Sequence, residues 1–250
     1  MFLIEHGKLA IKKQTGYTLI EIMIALLLGL IVVGATISIY IATVGSSSGI
    51  IKSARLNHDL EAIMTLMTND IKRAGYWGGA TVAADSRVNP FTVASTNVTN
   101  VQIHGGNCIL YTYDGADGDG VVDNNEYYGF KLENNSIKMR KTGTTTADCG
   151  DGTWEEFIEG SQLTITMLQF SFAPITTVTP NLNATSRCLN VTTSTVTDAA
   201  ACTSTASGNN LAEKRVVNIV LEGHLSSDNS ITKSLNGTVE IRNNRLSLVP

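Results

Sequence analysis

The chain is poor in charge and in histidine, and its first 89 residues hold no proline: 16% of its 250 residues are Asp, Glu, Lys or Arg, four are His, and the first proline is Pro90. So little charge, with 43% hydrophobic residues, excludes an intrinsically disordered chain. There is no block of Lys and Arg either, and the formal net charge is −4. A protein that binds by neutralising phosphates needs such a block, so no nucleic-acid partner is expected. The histidines, His6, His58, His104 and His224, stand singly. No nucleophile elbow, phosphate loop or metallopeptidase motif accompanies them, and a non-enzyme is expected, with no catalytic residues. The four cysteines form no Cys-x-x-Cys pair and have no histidine beside them, which argues against zinc.

What is present is concentrated at the N-terminus. From Ile22 to Val44 there are 23 residues without a charge, and from Tyr17 to Ile51 the only charged side chain is Glu21. A helix of that length rises about 35 Å, enough to cross a hydrocarbon core of about 30 Å with some tilt. It is too long for the apolar region of an ordinary signal peptide. Lys8, Lys12 and Lys13 against Glu5 ahead of it keep the N-terminus cytoplasmic and send the rest outward. Without proline, only Gly29 and Gly34 weaken this helix, and neither breaks it. An ionisable side chain such as Glu21 at the edge of an apolar span is expensive, and is kept for a partner.

Gly16-Tyr17-Thr18-Leu19-Ile20-Glu21 resembles the cleavage and methylation site of type IV prepilins, with tyrosine where phenylalanine is commonest. The resemblance implies a leader over 1–16, removed by a membrane aspartic prepilin peptidase/methyltransferase that cuts after Gly16 and methylates Tyr17. It also implies that Glu21 pairs with the amine of a neighbouring subunit as helices bundle into a fibre. The expected organisation is then leader 1–16, transmembrane and assembly half of the helix 17–51, and exported domain 52–250.

Gly45-Ser46-Ser47-Ser48-Gly49 reads as a break or hinge after the span. Beyond it, Ile51, Leu56, Leu60, Ile63, Met67, Ile71 and Ala74 recur at mostly three- and four-residue steps, the stripe of an amphipathic helix that ends at Gly75. From Thr81 onward, β-branched runs between Gly, Asn and Asp clusters read as antiparallel strands: 100–104, 109–113, 127–132, 136–140, 163–173, 215–226 and 230–242. The Thr- and Ser-rich 176–210 segment reads as a long surface loop. Asp70 to Gly78 and the closing Glu240-Ile241-Arg242-Asn243-Asn244-Arg245 resemble minor pilins of the PilW type, whose last motif is a strand. The fold expected is α+β and type IV pilin-like, a long N-terminal helix packed on an antiparallel sheet.

Cys108, Cys149, Cys188 and Cys202 all lie on the exported side, where two disulfides are favoured. Of the three possible pairings, Cys108–Cys149 and Cys188–Cys202 close local excursions. Between the first two lies the densest acidic cluster, Asp114 to Glu126. With Gly120 at the sharp turn of an EF-hand-type loop, Asp117, Asp119, the Val121 carbonyl, Asp123 and Glu126 fall on ligand positions, and Asp114 reaches in for Gly115. Oxygen-only ligands suit calcium. A plain Asp-Gly hairpin turn is the alternative, and both stay open.

As a function, the resemblance implies a minor pilin that helps initiate or cap a type IV pilus. It would be held single-pass in the inner membrane with a periplasmic domain, and later sit in the fibre at or near its tip. The implied partners are other minor pilins and the major pilin, and such fibres serve adhesion and twitching motility. In related tip complexes the uppermost subunit commonly lacks the glutamate, so Glu21 implies a subunit above this one. A minor pseudopilin of a type II secretion system and a membrane-anchored calcium-dependent adhesin are the alternatives.

Overall fold

The computed structural model describes residues 16–81, 85, 87–94, 97–115, 117–157, 162–172, 187–197, 202 and 207–249. Residues 1–15 of the expected leader and 173–186 of the expected strand and loop lie outside these. The chain divides into two compact units at Ile51/Lys52.

In the first unit, a single helix α1 (Leu19–Ile71) begins. Its residues up to Val44 are exposed on every side, and apolar side chains such as Leu26, Ile31, Ile37 and Ile41 are each more than half accessible. A helix apolar all round is one that lipid or other helices surround. Its aliphatic hydroxyls are compatible with that environment: Thr36 donates to the Val33 carbonyl at 2.8 Å, Ser38 to Gly34 at 3.0 Å and Thr43 to Ile39 at 2.8 Å. These three find acceptors within the helix, as a bilayer requires. The expected break at Gly45–Gly49 is absent, for α1 runs through it unbroken. Two glycines cost a helix about 1 kcal/mol each but do not interrupt its ladder as proline would.

In the second unit, the Lys52–Ile71 half of α1 buries one stripe: Leu56, Leu60, Ile63, Met67 and Ile71. Each such side chain contributes about 1.5–3 kcal/mol when fully removed from water. The partners come from antiparallel strands. β1 (Gln102–His104), β2 (Cys108–Thr112), β3 (Tyr127–Glu133), β4 (Ser136–Thr142) and β5 (Thr153–Glu156) form one sheet in chain order. β6 (Leu163–Ser171) belongs to a second sheet. A third is opened by β7 (Arg187–Asn190), β8 (Thr195–Thr197) and β9 (Asn210–Lys214). β10 (Val216–Leu225) lies between β6 and β11 (Asp228–Glu240), while β12 (Arg245–Leu248) completes the third sheet beside β9. β10 alternates half-buried and buried residues along its whole length, with Val217, Ile219, Leu221 and Leu225 facing the core. There they join the helix stripe, Ile109 and Phe130 of the first sheet, and Ile165 and Phe170 of β6. Met64 of α1 lies so close to β11 that a Cβ at Gly237 would come 2.5 Å from its sulfur.

Two strand expectations are corrected. The 176–210 segment is not a continuous loop, because β7, β8 and the start of β9 fall within it. Cys188 of β7 is buried and its strand pairs with β9, while the β-branched Thr195-Val196-Thr197 of β8 pairs with β7. The 240–245 motif is not a strand either: residues 242–243 bend between β11 and β12. The reason is the end of α1. The Asn243 amide donates to the carbonyls of Arg73 at 3.1 Å and Ala74 at 3.2 Å, and the Arg242 N–H to Lys72 at 3.2 Å. Those carbonyls lie in the turn just past Ile71, where Arg73 also accepts from the Tyr76 N–H at 3.0 Å, and the bend adds donors to them. Gly75, at φ +74°, then turns the chain, and its N–H donates to Thr112 of β2 at 2.8 Å.

Disulfides join Cys108 to Cys149 and Cys188 to Cys202, across 41 and 14 residues. In the chain-entropy picture closures of this size contribute about 3–4 kcal/mol each.

One polar contact fixes the last turn of α1 to the first sheet. Asp70 accepts from the hydroxyls of Tyr111 at 2.6 Å and Tyr113 at 2.7 Å. Burial, then the neighbouring Asp70 charge, pushes both phenols well above their ordinary range. Asp70→Ala leaves two phenols without an acceptor and is expected to cost about 2–4 kcal/mol in urea unfolding of the detergent-solubilised chain. A loss under about 0.5 kcal/mol would contradict this. At the other end of that half-helix, Lys52 bonds Asp228 at 2.9 Å. Hydrogen bonds from Ser230 and then Lys52 hold the Asp228 carboxyl down at about 2 from 3.8. A depressed carboxyl stabilises the fold above its unfolded pKa and loses that contribution as pH falls through its folded one. The stability gap between wild type and Asp228→Asn should be constant above about pH 4 and close between 3.8 and about 2.

Candidate functional site

Two groups of residues carry the chemistry expected from the sequence. The first precedes and opens α1. Gly16 and Tyr17 lie ahead of the helix in exposed chain, Tyr17 at 83% accessibility. A Cβ at Gly16 would meet nothing within 4 Å among the described residues. Thr18 caps α1: its Oγ1 accepts from the Glu21 N–H at 3.4 Å, while Glu21 Oε2 accepts from the Thr18 N–H at 3.2 Å and the Thr18 hydroxyl at 3.2 Å. This is a reciprocal capping box, with Thr at the cap and Glu three residues on. Sequence reading missed it, although Thr-x-x-Glu before an apolar run is its signature. The carboxylate also lies at the positive end of the helix dipole.

A family model described as prepilin peptidase-dependent protein B matches residues 49–241, and one described as the prokaryotic N-terminal methylation motif matches residues 11–37. The chain belongs to the prepilin peptidase-dependent protein B family. It is a pilin-like protein with a prepilin methylation motif, and its apolar helix fits membrane anchoring before assembly. A pilin-like family is a structural one, which fits a non-enzyme. Neither curated proteins nor solved structures give a significant match.

The second group is the acidic loop between β2 and β3, where this family member has its densest charge. Asp114, Asp117 and Glu126 each bring an oxygen to within 4.8 Å of the others. Asp114 is 2% exposed and Glu126 fully buried, whereas Asp117 faces solvent. Asp114 Oδ2 accepts from the N–H of Gly78 at 2.9 Å and of Gly120 at 2.9 Å. Glu126 Oε1 accepts from Gly115 at 3.0 Å and Oε2 from Asp123 at 3.1 Å. Asp119 and Asp123 are not part of the convergent group. Asp119 Oδ1 instead accepts from the Val121 N–H at 2.8 Å, the local turn bond that Asp makes two residues on. The Val121 side chain is exposed.

The chain leaving α1 forms the other wall of this loop. The Asp114 N–H donates to the Tyr76 carbonyl at 3.0 Å, and Trp77 Nε1 donates to the Gly120 carbonyl at 3.1 Å. Beneath them Tyr113 and Tyr128 stack at 3.9 Å, and the Arg73 guanidinium sits 4.2 Å from the Tyr113 ring. The role of Tyr76-Trp77-Gly78 was not legible in the sequence, since its partners lie about 40 residues on. At Gly78 a Cβ would come 2.8 Å from Asp114 Oδ2 and 3.1 Å from the Gly118 carbonyl. Gly78→Ala is expected to lower stability by about 1–3 kcal/mol through that clash, read by urea unfolding. An unchanged midpoint would mean that the loop is not held against this segment.

Proposed function

We propose that this chain is a minor pilin, a structural subunit that takes part in initiating or capping a type IV pilus. The observation that carries the reading is Glu21, a carboxylate at the head of a helix that is apolar on every side and follows Gly16, the glycine of the methylation motif. Before assembly the capping box satisfies Glu21 within its own chain. After prepilin peptidase/methyltransferase releases the Tyr17 amine, each subunit carries one positive end and one carboxylate at the same depth. Lateral bundling of the Ile22–Val44 helices then brings the amine of one subunit to the glutamate of another, where low dielectric strengthens the pair. The partners are other minor pilins and the major pilin, and the place is at or near the fibre tip. The exported domain faces the periplasm until then.

The capping box makes a separation of roles possible. Glu21→Gln keeps a residue able to complete the box but removes the charge, and Thr18→Ala removes the box but keeps the charge. Surface piliation should be lost in Glu21→Gln and kept in Thr18→Ala, with Gly16–Tyr17 cleavage intact in both. Normal piliation with Glu21→Gln would overturn the pairing. Co-purification of the mature chain with pilus components separates this reading from a pseudopilin of a type II secretion system.

A further inference from the structure

We propose that Asp114, Asp117 and Glu126 hold a calcium ion that fastens the 117–126 loop to the segment leaving α1. The three oxygens lie within 4.8 Å of one another, inside the roughly 4.6–5.2 Å diameter that calcium–oxygen bonds of 2.3–2.6 Å set. Three carboxylates this close, two of them buried, repel one another unless a cation or protons intervene.

An independent feature points to the cation. Asp114 is 2% exposed, yet its Oδ1 has no hydrogen-bond partner. Oδ2 is occupied by the Gly78 and Gly120 N–H groups, so Oδ1 is the oxygen that Asp114 has free for the group. A buried carboxylate oxygen without a partner leaves its desolvation uncompensated, and a bound cation removes that cost. All three ligands are hard oxygens, the set that calcium takes, and exposed Asp117 leaves an open side for ion entry and for the waters that complete six to eight ligands. Because Asp114 also grips Gly78, while Trp77 grips Gly120, ordering the loop orders the chain just past the end of α1.

The test is calorimetric titration of CaCl₂ into the full-length chain in non-ionic detergent after EDTA treatment, paired with thermal melts. One calcium per chain is expected, with affinity in the range of about 0.1–1 mM typical of extracellular calcium modules, and a rise in melting temperature. Asp117→Asn should weaken binding about tenfold or more without lowering the calcium-free melting temperature, because it removes one of the three converging charges from an exposed position. Asp114→Asn should abolish binding, and Asp117→Asn carries the test alone if that variant does not fold. No heat and no thermal shift up to about 10 mM calcium, ten times the weak end of that range, would overturn the site. So would equal binding by Asp117→Asn, or an equal response to MgCl₂.

Discussion

The helix α1 must satisfy two environments with one backbone, and the rest of the protein follows from that constraint. Over residues 19–44 it is apolar on every side, so nothing in its own chain needs to cover it. Over Lys52–Ile71 it has a single apolar stripe, and such a stripe is stable only under a sheet that buries it. The second unit is built around this second need. Strands from two sheets converge on the stripe, Asp70 fastens its last turn through two tyrosines, and Lys52 fastens its start through Asp228.

The end of the helix is where distant parts of the sequence meet. Gly75 turns the chain, the 242–243 bend supplies donors to the last carbonyls, and Asn89 donates to the Gly75 carbonyl at 2.9 Å. Immediately afterwards Tyr76, Trp77 and Gly78 take hold of the acidic loop. The two stretches that resemble minor pilins of the PilW type, one after the helix and one near the C-terminus, are therefore neighbours in space. Together they close the turn that ends the helix, the C-terminal stretch donating to carbonyls of the 72–74 turn.

The parts of the fold that were legible in the sequence are those set by local periodicity. The stripe is buried from Leu56 to Ala74 although Ile51, expected to open it, is exposed, and β2, β3, β4, β6, β10 and β11 lie within a few residues of the runs that suggested them. What was not legible depended on distant partners. Neither β7 nor β8 has an apolar alternation: β7 exists through pairing with β9, and Thr195-Val196-Thr197 of β8 through pairing with β7. The Gly45–Gly49 break failed because glycine and serine permit a helix that the flanking residues continue. In the acidic loop, the EF-hand register gave Asp119 and Asp123 the same standing as Asp114. Only the approach of Gly78 to Asp114 distinguishes them, and no sequence pattern announces a contact between residues 78 and 114.

The central claim is that the 19–44 half of α1 is covered, after cleavage, by the helices of other pilin-like subunits. A photo-crosslinking residue placed at Leu27, exposed on that helix, tests it most directly in cells. The account predicts crosslinks to the N-terminal helices of other pilin-family chains, recovered with sheared fibres. Crosslinks to lipid alone, with the chain confined to the membrane fraction, would contradict it.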